Sequence, residues 1–348
     1  MEIVLEPSDV MIAPPAGVGT GTALSYMPAF DEYELRVIDE IALHIVSPNF
    51  VRQVLSRAGK PIEKVLDYAM KSRIKSFRRA SDLVAGGVHK ALEAATSAAS
   101  RISSDERVLS TAHSLGMDAI SVTDLHSFPL EDLDRLADRF DAGHAVALGL
   151  EGAVLGAATT ISEGIPFAQV LIPAFIAFDV SASMTLLSRH VGCVASSYGY
   201  SPRQAGNRFH VIAAMAPPSE SPDEGYFAAK LAAVESIREA GIYMARKTGV
   251  ENLLQKEAPR LVQLLNFVAG RLGLVLTEKE LGMLVPLAGA VINSALNVAF
   301  QKTGHIASKD YFRILHLERK YGEATVRQAL AAAVARAKTR TRGTVLKD

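Results

Sequence analysis

Along most of the chain, apolar residues return every three or four positions, which is the period of a helix with one buried face. Leu35, Ile38, Ile41, Ala42 and Ile45 form such a stripe, and Asp31 with Glu34 in front of it forms a capping box. Pro48 closes this helix and Pro61 opens the next, where its missing N–H is harmless. The second helix, 62–80, sets Val65, Ala69, Ile74 and Phe77 against Lys71, Arg73, Lys75, Arg78 and Arg79. An Ala-rich helix follows over 81–102, and Ser104 is placed to cap another, with Asp105 and Glu106 in its first turn. Pro129 starts a further helix whose Leu130, Leu133, Leu136, Ala137 and Phe140 oppose an acidic face of Glu131, Asp132, Asp134 and Asp138. Helical patterns recur over 203–215, 224–247, 253–276 and 308–321, the last amphipathic and basic, and the chain ends in an Ala-rich helix with a basic tail. No stretch shows the alternation of a strand.

Two stretches break the pattern. Between residues 142 and 202 only Glu151, Glu163, Asp179 and Arg189 are charged, and none is charged from Leu281 to Gln301. A helix without a charged face is buried on all sides or in contact with lipid. Pro166 and Pro173 divide the first stretch into a helix over about 142–162, a turn, and a longer helix that stops at Tyr198-Gly199-Tyr200-Ser201-Pro202. In the second, Asn293 and Asn297 share a face suited to hydrogen bonding with another helix. The expected fold is therefore an all-α multi-helix bundle, its core formed by the two charge-poor hairpin or segment elements.

Lys+Arg and Asp+Glu both number 37, a balance that argues against a general nucleic-acid binder. Cys193 is the sole cysteine, so no intrachain disulfide exists and a reducing compartment is expected. The first residues lack the basic start and apolar run of a signal peptide, so the expected location is cytoplasmic, peripheral to or integrated in a membrane. Residues 1–30, with four prolines and a GVGTGT run that lacks the GK[ST] ending of a phosphate loop, form an N-terminal arm.

No motif of high specificity for a nucleophile, metal or cofactor is present, and none of these is assigned. Cys193 lies in an apolar helix, where its thiol stays protonated and poorly reactive. The chemistry that remains is polar groups in apolar surroundings. Asp141, His144 and Glu151 lie at i, i+3 and i+10 on one helical face and could bind a metal or share a proton. Asp179 and Arg189 stand nearly three turns apart, and a charge in such a segment needs a partner. Glu151, Asp179, Arg189 and His144 are thus the candidate site residues, pointing inward, with a register-holding ion-pair set as the alternative to a catalytic one.

Asp179 and Arg189, followed by SSYGYSPR, resemble the EcsC protein family, which has an acidic residue, an arginine about ten later and a YG[YF]-x-P turn. Glu151-Gly152, Asn207-Arg208-Phe209 and the element carried by Pro286, Gly289, Ala290 and Asn297 agree in order. The resemblance spans about residues 60–322 and places an EcsC-like helical domain at 31–322, with the helix and basic tail at 323–348 outside it. It implies a helical protein with a connection to a transporter or membrane, without implying a reaction. The expected function is non-enzymatic, at the cytoplasmic face of a membrane or beside a membrane transporter, with a membrane surface or membrane protein as partner and no nucleic acid. The alternatives are a peptide or lipid hydrolase using Glu151, Asp179 and His144, and a membrane-perturbing, toxin-like protein.

Overall fold

A computed structural model describes residues 30–46, 86–90, 92, 105–141, 168–216, 222–245, 260, 263–268 and 289–345. Among the described residues the chain is all helix and turn, with no strand, as the periodicity predicts. The helices are α1 (Glu32–Val46), α2 (Asp105–Ser114), α3 (Leu130–Asp138), α4 (Ala168–Ser197), α5 (Ala205–Ala214), α6 (Ala228–Ala245), α7 (Gly289–Tyr321) and α8 (Glu323–Val345). A 3₁₀ turn over Val122–Ser127 precedes α3, and one π turn over Asp223–Phe227 leads into α6. The N-terminal arm, the basic helix at 62–80 and the segment 142–167 lie outside the described residues.

Local signals set the ends. Asp31 and Glu34 form the reciprocal capping box: the Glu34 N–H donates to Asp31 Oδ1 at 2.8 Å, and the Asp31 N–H to Glu34 Oε2 at 3.0 Å. At the end of α4, Gly199 has φ +93°, its N–H donates to the Ser196 carbonyl at 3.0 Å, and that of Tyr200 reaches back to Ala195 at 2.9 Å. This is a Schellman closure, and it turns the chain through the YGYSP run.

Three features of the helices differ from the sequence expectation. α4 runs through Pro173 without a break, because at its sixth residue the ring forgoes only the bond to the Gln169 carbonyl. From Gly289 on, the second charge-poor run and the basic stretch after it are one helix, α7, of 33 residues. The 308–321 part is not amphipathic, since every residue from Ala307 to Glu318 is buried, charged ones included.

α7 is the central post. It packs against α3, α4, α5 and α8, while α1 lies along α8 and α5 along α6. α4 and α7 run in the same direction: Leu187 meets Gly304, His190 meets His305 and Tyr198 stacks on Phe312. The two helices approach closely at Gly304, where a Cβ would require the buried Leu187 side chain to shift. Phe312, Tyr311, Tyr200, Tyr226 and His210 form a mutually tilted aromatic cluster beside this contact. Among the described residues no helix is long and apolar enough to cross a membrane.

Gly199 and Gly322 separate backbone strain from crowding. Both have positive φ, but a Cβ at Gly199 would sit 2.5 Å from the His126 ring, whereas Gly322 faces open space. Gly322→Ala should lose about 1–3 kcal/mol from strain alone. Gly199→Ala should lose more, read as a larger fall in the urea midpoint.

Candidate metal centre

Helical spacing builds the site from two facing stripes. On α7, Gln301, His305, Lys309 and Arg313 recur every four residues, and on the opposing strip of chain Asp134, Asp138 and Asp141 recur at i, i+4 and i+7. The two run antiparallel, so the stripes meet rung by rung. His190 of α4 and Tyr198, the residue just after that helix, close the third side.

The first rung is fully satisfied. Asp134, 2% exposed, takes Arg313 Nε at 3.0 Å to both carboxylate oxygens and Nη2 at 2.8 Å. Tyr33 donates to its Oδ2 at 2.6 Å, and Tyr198 donates to its Oδ1. The other arm of Arg313 reaches Glu40 at 3.2 Å and Asp310 at 3.3 Å, and Asp310 holds His44 Nδ1 at 2.6 Å. Burial, reinforced by the Asp134 carboxylate, pushes both tyrosine hydroxyls above their usual range, so they remain donors. Burial alone would lower the Arg313 pKa, but the Asp134 and Asp310 carboxylates beside it hold it up.

On the second rung Asp138 Oδ1 accepts from Lys309 Nζ at 2.7 Å and from His305 Nε2 at 3.1 Å. Burial pushes its carboxyl up, but those two bonds prevail and hold it at about 2. Ionised, Asp138 can only accept, so His305 carries its proton on Nε2 and, when neutral, turns the lone pair of Nδ1 away from Asp138. That Nδ1 lies 3.0 Å from His190 Nε2.

The third rung completes the centre. Asp141, His190 and His305 each offer one ligating atom within 4.8 Å of the other two. Both histidines are buried, and Asp141 Oδ1 is buried without accepting a hydrogen bond. An acceptor that has lost water and gained no donor is unfavourable, and a cation is one of the few species that satisfies it. The geometry admits one: two nitrogens each about 2.0–2.1 Å from an ion stand roughly 2.9 Å apart at a right angle and about 3.3 Å at the tetrahedral angle. The 3.0 Å spacing of the imidazoles lies within that span. A carboxylate holding the far ring nitrogen of a ligating histidine is the usual support of such a site, and Asp138 stands in that position.

Of the residues singled out from sequence, Arg189 is exposed on α4, a correction to its expected inward direction. Consecutive helical residues differ by about 100° in direction, and it is the next residue, His190, that turns into the core. Asp179 lies in α4, with its side chain outside the described residues; His144 and Glu151 lie outside them altogether. Of the proposed metal-binding face Asp141 is the described member, and it lies in a ligand cluster with His190 and His305. Cys193 is buried in α4. Within the acidic face of α3, Asp134 is buried and Asp138 faces α7. The four-residue repeat 301, 305, 309, 313 was the legible signal for the missed ligand. Compared with family models, with curated proteins and with solved structures, the chain returns no match in any of the three.

Removing one partner from the first rung strands a buried charge. Arg313→Met should lower stability by about 3–5 kcal/mol. Pairing it with Asp134→Leu should restore much of that loss in urea unfolding, because two apolar residues leave no charge uncompensated.

Proposed function

We propose that this chain is a helical metal-binding protein that holds a divalent first-row transition ion between Asp141, His190 and His305. The observation that carries the proposal is the buried Asp141 oxygen without a donor, set beside two imidazoles, one of them oriented by Asp138. Two nitrogens and one carboxylate suit zinc, iron, cobalt or nickel better than calcium or magnesium, which favour all-oxygen shells. The ligands come from α4, α7 and the residues just after α3, so the ion would also tie three parts of the fold together. The EcsC resemblance is compatible with this function and adds a transporter or membrane setting to it.

Titration of the metal-free protein with Zn²⁺ by calorimetry should give one tight site. His190→Ala and His305→Ala should abolish it, and Asp138→Asn should weaken it by about 10–100-fold while keeping the fold. Equal zinc affinity in wild type and both histidine variants would refute the proposal.

A second reading, association with an anionic membrane surface, rests on the end of α8. There Arg336, Lys338 and Arg340 are exposed, no acidic residue follows Glu323 within the helix, and Arg336 pairs with Asp39 of α1 at 2.7 Å. Each such cation gains on the order of 1 kcal/mol near anionic lipid. The protein should sediment with phosphatidylserine vesicles at low salt and be released at high salt, whereas a variant with these three residues changed to Gln should stay in solution. Equal sedimentation of the two proteins would exclude this surface.

A further inference from the structure

Gln301 is buried with no exposure, yet neither its amide nitrogen nor its carbonyl oxygen makes a hydrogen bond. A donor and an acceptor left unused on one side chain destabilise the protein unless something else occupies them. The residue stands one turn before His305 on the same stripe of α7, about 6 Å along the axis. Side chains on a helix lean toward its N-terminus, so the His305 ring leans toward the turn that carries Gln301. In the ladder Asp134 meets Arg313, Asp138 meets Lys309, and Asp141 meets His305; Gln301 is the next position along α7.

The chemistry of the centre says what would sit there. Three protein ligands leave a transition ion with at least one open position, the pattern of sites that bind water or an exogenous ligand. A divalent ion with the single carboxylate of Asp141 keeps one net positive charge, and Lys309 is already balanced by Asp138. An anion is therefore the favoured guest. Asp138 is about half exposed, with its side chain at 55%, so the centre lies close to solvent.

We infer that the bound ion keeps an exchangeable coordination position on the Gln301 side, that this position takes a small oxygen anion of the carboxylate or hydroxamate class, and that the Gln301 carboxamide holds it. The amide N–H donates to the ligand's oxygen, and the carbonyl accepts from a ligand N–H or from coordinated water. Gln301 is a ligand-binding residue of this centre, not a metal ligand. The inference rests on the proposed metal site.

The test uses the full chain loaded with Co²⁺, whose visible absorption reports its ligand shell, titrated with acetohydroxamate. The wild type should change spectrum and saturate. Gln301→Leu and, as a second variant of similar length, Gln301→Met should keep the cobalt spectrum but bind hydroxamate about tenfold more weakly or worse. In the metal-free state both should melt at or above the wild-type temperature, because the unused polar atoms are gone. Hydroxamate affinity equal to wild type in both variants would overturn the role of Gln301. A cobalt spectrum that ignores hydroxamate would overturn the open position while leaving the metal site standing. Absence of any cobalt spectrum sensitive to His190→Ala and His305→Ala would remove both.

Discussion

A buried arginine must find enough acceptors to replace the water it loses, and Arg313 sets that demand at the centre of this protein. Asp134 meets it with both carboxylate oxygens, while Glu40 and Asp310 take the remaining arm. Asp134 in turn needs donors beyond the guanidinium, and Tyr33 and Tyr198 supply them. These groups come from α1, α3, α4 and α7, so satisfying one pair of charges fixes the mutual placement of four helices. Apolar packing supplies the favourable free energy but tolerates sliding; a bidentate ion pair with two tyrosine donors does not.

Along the same two stripes the degree of satisfaction falls. The Asp134 rung has more donors than a carboxylate strictly requires, and Asp138 has two. Asp141 has an oxygen with none, and Gln301 beyond it has two idle atoms. Other such atoms lie elsewhere, at His126, His316 and Glu318, but along this ladder they fall at one end, away from the Arg313 pair. The charge on Lys309 is balanced by Asp138.

Much of the fold was legible because helix ends and helix period are local properties. The capping box at Asp31, the Pro129 start and the Gly199 stop each depend on a few neighbouring residues, and each is present as read. The site was less legible because burial is not local. Asp134 in an acidic helix looks identical to its solvated neighbours until Arg313, 179 residues away, is placed beside it. Arg189 and His190 are adjacent in sequence, and only the direction of α4 decides which one faces α7. Pro173 misled for a related reason: a proline near a helix start removes little, so its presence does not mark a boundary.

The parallel course of α4 and α7 has a consequence for how the protein is made. Two parallel neighbours cannot be joined by a tight turn, and here α5, α6 and their connections intervene before the chain returns. On a ribosome, α3 and α4 emerge long before Arg313 is synthesised, so for most of translation Asp134 and Tyr198 have no guanidinium to meet. The nascent chain must keep this acidic strip in water until α7 arrives, and the helices can reach their final register only then. Assembly of the ion-paired core is thus timed by the arrival of α7.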